Sequence, residues 1–369
     1  MTDSAPNTLP YADRRSAARG QAPHPTKAVA YWLLTVCALI FAMAVIGAIT
    51  RLTESGLSIM EWAPLKGTLP PLSQAEWERV FSLYKAIPQY RELNADMELA
   101  QFKQIFWWEW LHRLWGRMIG LVFALPFFWF IWRYRLPRAL QIKLWIALSL
   151  GALQGFMGWY MVASGFAERT EVSQYRLVMH LGLALLIYGY LFWLALSLLL
   201  PPSARQSSAD ARRLRPWVGV LLALVALTIA WGGFVAGLNA GLIYNTFPLM
   251  GGALVPADYL TLDSWWRNHF ETAAAVQFDH RLLASLTLLM AVALFVWSRR
   301  LTLNPGLRRA LILIQAWVLV QLALGIATLL LVVPVWLAAL HQAGAIVLLT
   351  LVLNALYRLT PATRARQAR

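Results

Sequence analysis

Cysteine is almost absent: Cys37 is alone among 369 residues and falls inside an apolar stretch, so no intramolecular disulfide can form. Acidic residues are scarce as well, 17 against 32 Lys and Arg, and charged residues make up only 13% of the chain. That is too little charge to cover the surface of a soluble protein of this length. The first 27 residues contain no apolar run that could serve as a cleavable signal, and Asp3, Asp13 and several prolines make a poor amphipathic transit peptide. A bacterial plasma membrane is the simplest home.

What is abundant is apolar: 59% of the residues are hydrophobic, with 19 Trp. Runs long enough to cross a bilayer as helices recur eight times, near 28–49, 107–131, 144–164, 177–200, 216–238, 276–297, 310–333 and 335–356. The expected fold is all-α, a polytopic membrane protein in a lipid bilayer. The net charge of +15 raises the question of nucleic acid. Its placement answers no. The segments 1–27, 132–143, 200–215, 298–309 and 357–369 hold 20 of the 32 basic residues and, among the acids, only Asp3, Asp13 and Asp210. The rest of the chain carries 12 basic and 14 acidic residues, close to balance. By the positive-inside rule the Arg-rich loops and both termini are cytoplasmic.

The chain also repeats itself. "GAITRLTESGL" (47–57) parallels "GGFVAGLNAGL" (232–242), "EWLHRL" (109–114) parallels "QFDHRL" (277–282), and "LQGFMG" (153–158) parallels "VQLALG" (320–325). The offsets are 185, 168 and 167 residues. "RLVMHLGLAL" (176–185) parallels "WLAALHQAGAIVL" (336–348). The expected architecture is two tandem four-helix bundles inserted with the same orientation, since each has an even number of spans. The domains would be a tail (1–27), an N-terminal half (28–200) with external loop 50–106, a linker (201–215), a C-terminal half (216–357) and a tail (358–369). Within the loop, "SQAEWERVFSLYK" and "NADMELAQFKQ" suggest short helices, which could form a lid on the membrane surface; ordinary loop packing is the plainer reading.

Six histidines are present. His24 and His269 read as solvated. His112, His180, His280 and His341 fall one in each even-numbered span, near the external ends. Intramembrane ionisable residues are functional candidates, and matched repeat positions strengthen the case. Two His on facing helices of a bundle suit axial ligation of a haem. A zinc or di-iron site would want clustered carboxylates or thiols, and Asp279, beside His280, is turned about 100° away. Arg113, Arg117, Arg176 and Arg281 stand within about a turn of three of the four His, His112, His180 and His280, and could clamp haem propionates in bidentate fashion; anchoring at the membrane interface is the bland alternative. Glu109 shares a helix face with His112, three residues on. The equivalent residue before His280 is Gln277, which keeps the shape and cannot ionise. One half looks catalytic and the other like a resident redox centre.

With these residues in place the chain resembles the haem A synthase family, membrane enzymes that convert haem O to haem A for cytochrome oxidase. The resemblance spans nearly the whole chain and rests on the eight spans, the four placed His, "RLTESGLSI" and the ExxH of "WEWLHR". It implies that His112 and His180 bracket the substrate haem, that His280 and His341 ligate a haem b with Arg281 beside it, and that Glu109 is the catalytic acid. The implied reaction oxidises the C8 methyl of haem O to a formyl group through a hydroxymethyl stage. Haem O synthase and cytochrome oxidase assembly factors are the implied partners. Family members from Gram-positive bacteria carry a cysteine pair in the first external loop. None stands between residues 50 and 106 here, which places the resemblance with the proteobacterial and mitochondrial branch and excludes a disulfide relay there. The electron acceptor, the oxygen source and any homo-oligomer stay open. Two other classes also remain at this point, a di-haem b-type electron-transfer cytochrome and a parallel-repeat transporter; extracted pigment separates the three. The topology has its own test: reporter fusions at residues 369 and 205 should read cytoplasmic and one at residue 90 external, and any exchange among them would overturn the eight-span arrangement.

Overall fold

The computed structural model describes residues 26–62, 66–134, 136–166 and 170–361. The two termini, with His24, and Arg135 therefore lie outside the described residues. The described residues are helical apart from turns, loops and one isolated bridge between Met250 and Ala253. Among the described residues eight helices are long and apolar enough to span a membrane: α1 (Thr26–Leu52), α4 (Leu99–Tyr134), α5 (Arg138–Val162), α6 (Gln174–Leu199), α7 (Ala209–Gly237), α9 (Ala273–Ser298), α10 (Pro305–Leu330) and α11 (Val335–Arg358). Three short helices lie between them: α2 (Gln74–Tyr84), α3 (Pro88–Leu93) and α8 (Trp265–Glu271). The chain is an all-α polytopic membrane protein.

The helices outrun their apolar cores. α4 has 36 residues, about 54 Å of helix, against a hydrocarbon layer of about 30 Å. Its first residues, Leu99–Gln104, belong to the long helix and not to a separate short one as the sequence suggested. Likewise α7 starts at Ala209, inside the stretch read as a linker, because the Ser208 side chain caps it by accepting from the Ala211 N–H.

The protruding turns of α4 have a use. Phe102 and Phe106 form one side of an external apolar cluster, and Trp77, Phe81 and Tyr84 of α2 form the other. Trp77 meets Phe106 edge-on at 4.9 Å, and Phe81 stacks on Phe102 at the same distance. The apolar face of α2 is spent on this packing, in keeping with the plainer reading of the loop.

In the membrane, α1 packs on α4 and α6, and α5 on α6. Correspondingly α7 packs on α9 and α11, and α10 on α9 and α11. α4 and α5 meet over a short stretch only, whereas α9 and α10 pack more extensively. Between the two groups α6 crosses α7, and α11 lies against α1 and α6. The α6–α7 crossing is close because Gly233 and Gly237 are one turn apart on α7. A Cβ on the first would meet Val178 at 2.9 Å, and on the second Gln174 at 2.7 Å.

Both α1 and α7 end in the same way. Glu54 (φ 53°) and Asn239 (φ 50°) take the left-handed conformation, and each precedes one turn of 3₁₀ helix. Asn239 then joins Arg51 and Glu171: Arg51 pairs with Glu171 at 2.8 Å and donates to Asn239 Oδ1 at 3.1 Å, while Asn239 Nδ2 donates to Glu171 at 2.7 Å. Arg51 and Glu171 are mostly buried, with side chains 15% and 24% exposed. Glu171→Gln should therefore leave a half-compensated guanidinium and cost about 1–3 kcal/mol, seen as an earlier thermal transition of the detergent-solubilised protein; an unchanged transition would make the cluster ornamental.

Candidate functional site

The four intramembrane imidazoles share one packing rule. Each rests with its Cε1 edge on a glycine of a neighbouring helix. A Cβ on Gly47 (α1) would come within 2.9 Å of His112 Cε1, and one on Gly232 (α7) within 3.1 Å of His280 Cε1. On the other side, Gly158 (α5) faces His180 at 3.2 Å and Gly325 (α10) faces His341 at 2.8 Å. The first helix of each group thus seats the first His, and the third helix seats the second. Any side chain at these positions would push the ring aside.

Hydrogen bonds hold three of the rings. Gln154 Nε2 lies 3.1 Å from His180 Nδ1 and donates to the His180 carbonyl at 3.1 Å. Gln321 does the same for His341, at 3.1 Å to Nδ1 and 2.8 Å to the carbonyl. His280 Nδ1 lies 3.0 Å from the Thr228 carbonyl, and donating there would leave Nε2 with a free lone pair. His112 differs: its Nδ1 is buried without a hydrogen-bond partner. The sequence reading missed both glutamines as partners of His, although "LQGFMG" and "VQLALG" carry them at the same repeat offset.

The His280 and His341 rings are 6.4 Å apart, centre to centre, with planes at 88°. Metal–imidazole bonds are about 2 Å long, so rings on opposite sides of one metal ion stand roughly 6 Å apart. Among the described residues no group of three or more His, Cys, Asp or Glu could hold a metal by side chains alone. A group that brings its own equatorial ligands, such as a haem, fits this pair and its glycine seats.

Beside His112, Glu109 is only 3% exposed and fully engaged. One carboxylate oxygen accepts from the Ser58 hydroxyl (2.8 Å) and the Ile59 N–H (2.7 Å); the other accepts from Arg113 Nε (3.0 Å). Arg113 also donates to the carbonyls of Ile59 (2.6 Å) and Glu61 (3.0 Å). The same clamp recurs with one change. Arg281 donates to the carbonyls of Tyr244 (2.8 Å) and Thr246 (2.9 Å), the positions equivalent to Ile59 and Glu61. Gln277, also 3% exposed, offers Arg281 only a 3.4 Å contact, and the buried Nε of Arg281 has no partner. The Glu109–Arg113 pair could have been read from its i, i+4 spacing.

The other arginines are also occupied. Arg117 donates to the Gly67 carbonyl at 3.2 Å, and Arg176 lies 3.8 Å over the Tyr160 ring while donating to its carbonyl at 2.7 Å. His269, read as solvated, is not. It is half-buried, and its Nδ1 meets Asp279 at 2.7 Å because Asp279 turns away from His280 toward the external loop. Tyr259 of that loop also donates to Asp279, at 2.9 Å. Burial, then this bond to a carboxylate, pushes the Tyr259 phenol up to about 12.

A family model described as cytochrome oxidase assembly protein, COX15-CtaA, matches residues 30–353. The chain belongs to the COX15-CtaA family. Among its relatives are the haem A synthase of Nitrosospira multiformis, 50% identical over 324 residues (88% of this chain and 91% of that one), and that of Rhodospirillum centenum, 53% identical over 342 residues (93% and 91%). The haem A synthase of Nitrosomonas eutropha is 46% identical over 351 residues, covering 95% of this chain and 97% of its own. The half-buried His280 and His341 are spaced to fit a haem. Gly325→Ala should accordingly displace the His341 ring and weaken a haem on the His280/His341 pair by about 10–100-fold, measured by titration of the absorption band of the purified protein. Gly182→Ala, where a Cβ meets nothing within 4 Å, is the control that should leave it unchanged.

Proposed function

We propose that this COX15-CtaA protein makes haem A, with two four-helix bundles in tandem dividing the work. It is an oxidoreductase that converts the C8 methyl of haem O to a formyl group for cytochrome oxidase biogenesis. The half from 28 to 200 holds haem O between His112 and His180. The half from 216 to 357 holds a resident haem b between His280 and His341, with Arg281 beside it. The distribution of basic residues supports a bacterial inner membrane with both termini cytoplasmic, and haem O synthase and oxidase assembly factors as partners fit the family.

The observation that carries this division is the buried Glu109, held by Ser58, Ile59 and Arg113, where the second half has Gln277. When bound, the haem b supplies one-electron redox chemistry. The chain's own residues do the rest. Gly47, Gly158 and Gln154 fix the imidazoles that present the substrate. A methyl C–H on a macrocycle offers no acidic proton to a simple base, so electrons and protons must both leave. Glu109, on the His112 face of α4, takes up a proton or steadies a developing cation next to that methyl group. Arg113 and the two loop donors keep the carboxylate from turning away. Arg113, Arg117 and Arg176 line the external side as propionate partners.

Glu109→Gln makes the first half mimic the second at nearly constant shape. Haem b on His280 and His341 should remain, with its optical spectrum unchanged. Haem A output should fall by about 10²–10⁴-fold, with hydroxymethyl haem accumulating in the pigment extract. Wild-type haem A output would reduce Glu109 to a polar prop for the loop.

A further inference from the structure

Three glycines in the first half lie on core-directed helix faces, where an added Cβ would meet only open space. Gly120 on α4 stands three residues before buried Phe123 and seven before buried Phe127, so it shares their core-directed face. Gly151 on α5 follows buried Leu144 and Ala147 by seven and four residues, on the same face as Gly158, the seat of His180. Gly155 is one turn further along that face. All three are exposed, and a Cβ on any of them would meet no atom within 4 Å. They border the seam where α4 and α5 barely touch.

The second half fills the same seam. The repeat offsets put Leu288 opposite Gly120, Val318 opposite Gly151 and Leu322 opposite Gly155. Val318 is 4% exposed and belongs to the packed core, Leu288 packs against that core, and Leu322 is half-buried. The two halves therefore match at their His, glycine seats and glutamines, and part company at an apolar gap between the second and third helices. The gap lies on the face of α5 that carries Gly158, the seat of His180.

We propose that this gap is a subsite for the isoprenoid chain of haem O, open to the bilayer through the α4–α5 seam. The proposal rests on the reading of the first half as the substrate site. A haem b carries no such chain and needs only a slot for its macrocycle. Haem O carries a long apolar branch, which needs a continuous apolar trench running away from the iron. Side chains at 120, 151 and 155 would fill that trench; those at 288, 318 and 322 do fill its counterpart. The specificity of each half for its haem would then be set by these three pairs of positions and not by the His ligands, which are alike.

The test fills the gap in the full-length protein with Gly120→Leu and Gly151→Val, singly and together. Haem O and haem b are each titrated into the detergent-solubilised variants, and KM for haem O is measured. The His280/His341 spectrum reports that the second half is folded. The proposal expects haem O affinity at the first half to fall by about 10–100-fold and KM to rise in step, while haem b binding there stays close to wild type. Unchanged haem O affinity in the double variant would overturn it. So would equal loss of both haems, since the space would then belong to the macrocycle. A wild-type protein that takes up no haem O would instead sink the functional reading itself.

Discussion

The four contacts between an imidazole edge and a glycine are what the membrane domain is built around. An imidazole in hydrocarbon must have its ring nitrogens satisfied or aimed at a ligand, and its plane must be fixed for either to happen. Glycine on the adjoining helix lets that helix come close enough to fix it. The approach of α1 to α4, α5 to α6, α7 to α9 and α10 to α11 follows from these four seats. Gln154 and Gln321 then add the same polar brace to the second ring of each group. Three seats have a hydrogen bond to the ring nitrogen and one, at His112, has none.

The second constraint joins the buried helices to the external layer. Arg113 grips the loop at Ile59 and Glu61, and Arg281 grips the equivalent loop at Tyr244 and Thr246. The backbone geometry is duplicated, while the acid beneath it is present in one copy only. A guanidinium on a carboxylate joins two opposite charges, a shorter and stronger contact than the same cation makes with an uncharged amide. The first loop is thus tied down more firmly than the second, on the side where proton chemistry is assigned.

Much of this was legible in the sequence. Apolar runs of about 20 residues and the alternation of Arg-rich segments give the eight helices, because bilayer thickness and the cost of charge leave few alternatives. The four His were legible because their neighbours repeat. What escaped was whatever depends on distance across helices. The glutamines at 154 and 321 looked like ordinary polar residues, since nothing along the chain says which ring they reach. His269 looked solvated because its partner, Asp279, is ten residues away and faces it only through the bend between α8 and α9. The length of α4 was underestimated because hydropathy measures the part inside the membrane, whereas Phe102 and Phe106 are buried by α2 outside it.

The even-numbered spans α4, α6, α9 and α11 all run in the same direction, so the four imidazoles lie near one face of the membrane. His180, His280 and His341 stand six or seven residues, about 10 Å, into their helices. His112 stands thirteen residues into α4, whose first turns project beyond the apolar run. The two His pairs are thus separated mainly sideways, in the plane of the bilayer, with little difference in depth. A transmembrane voltage acts along the membrane normal and does work only on charge displaced in that direction. Under the proposed division of work, an electron passing from one pair to the other would cross almost none of that field, and the exchange would be electrically silent.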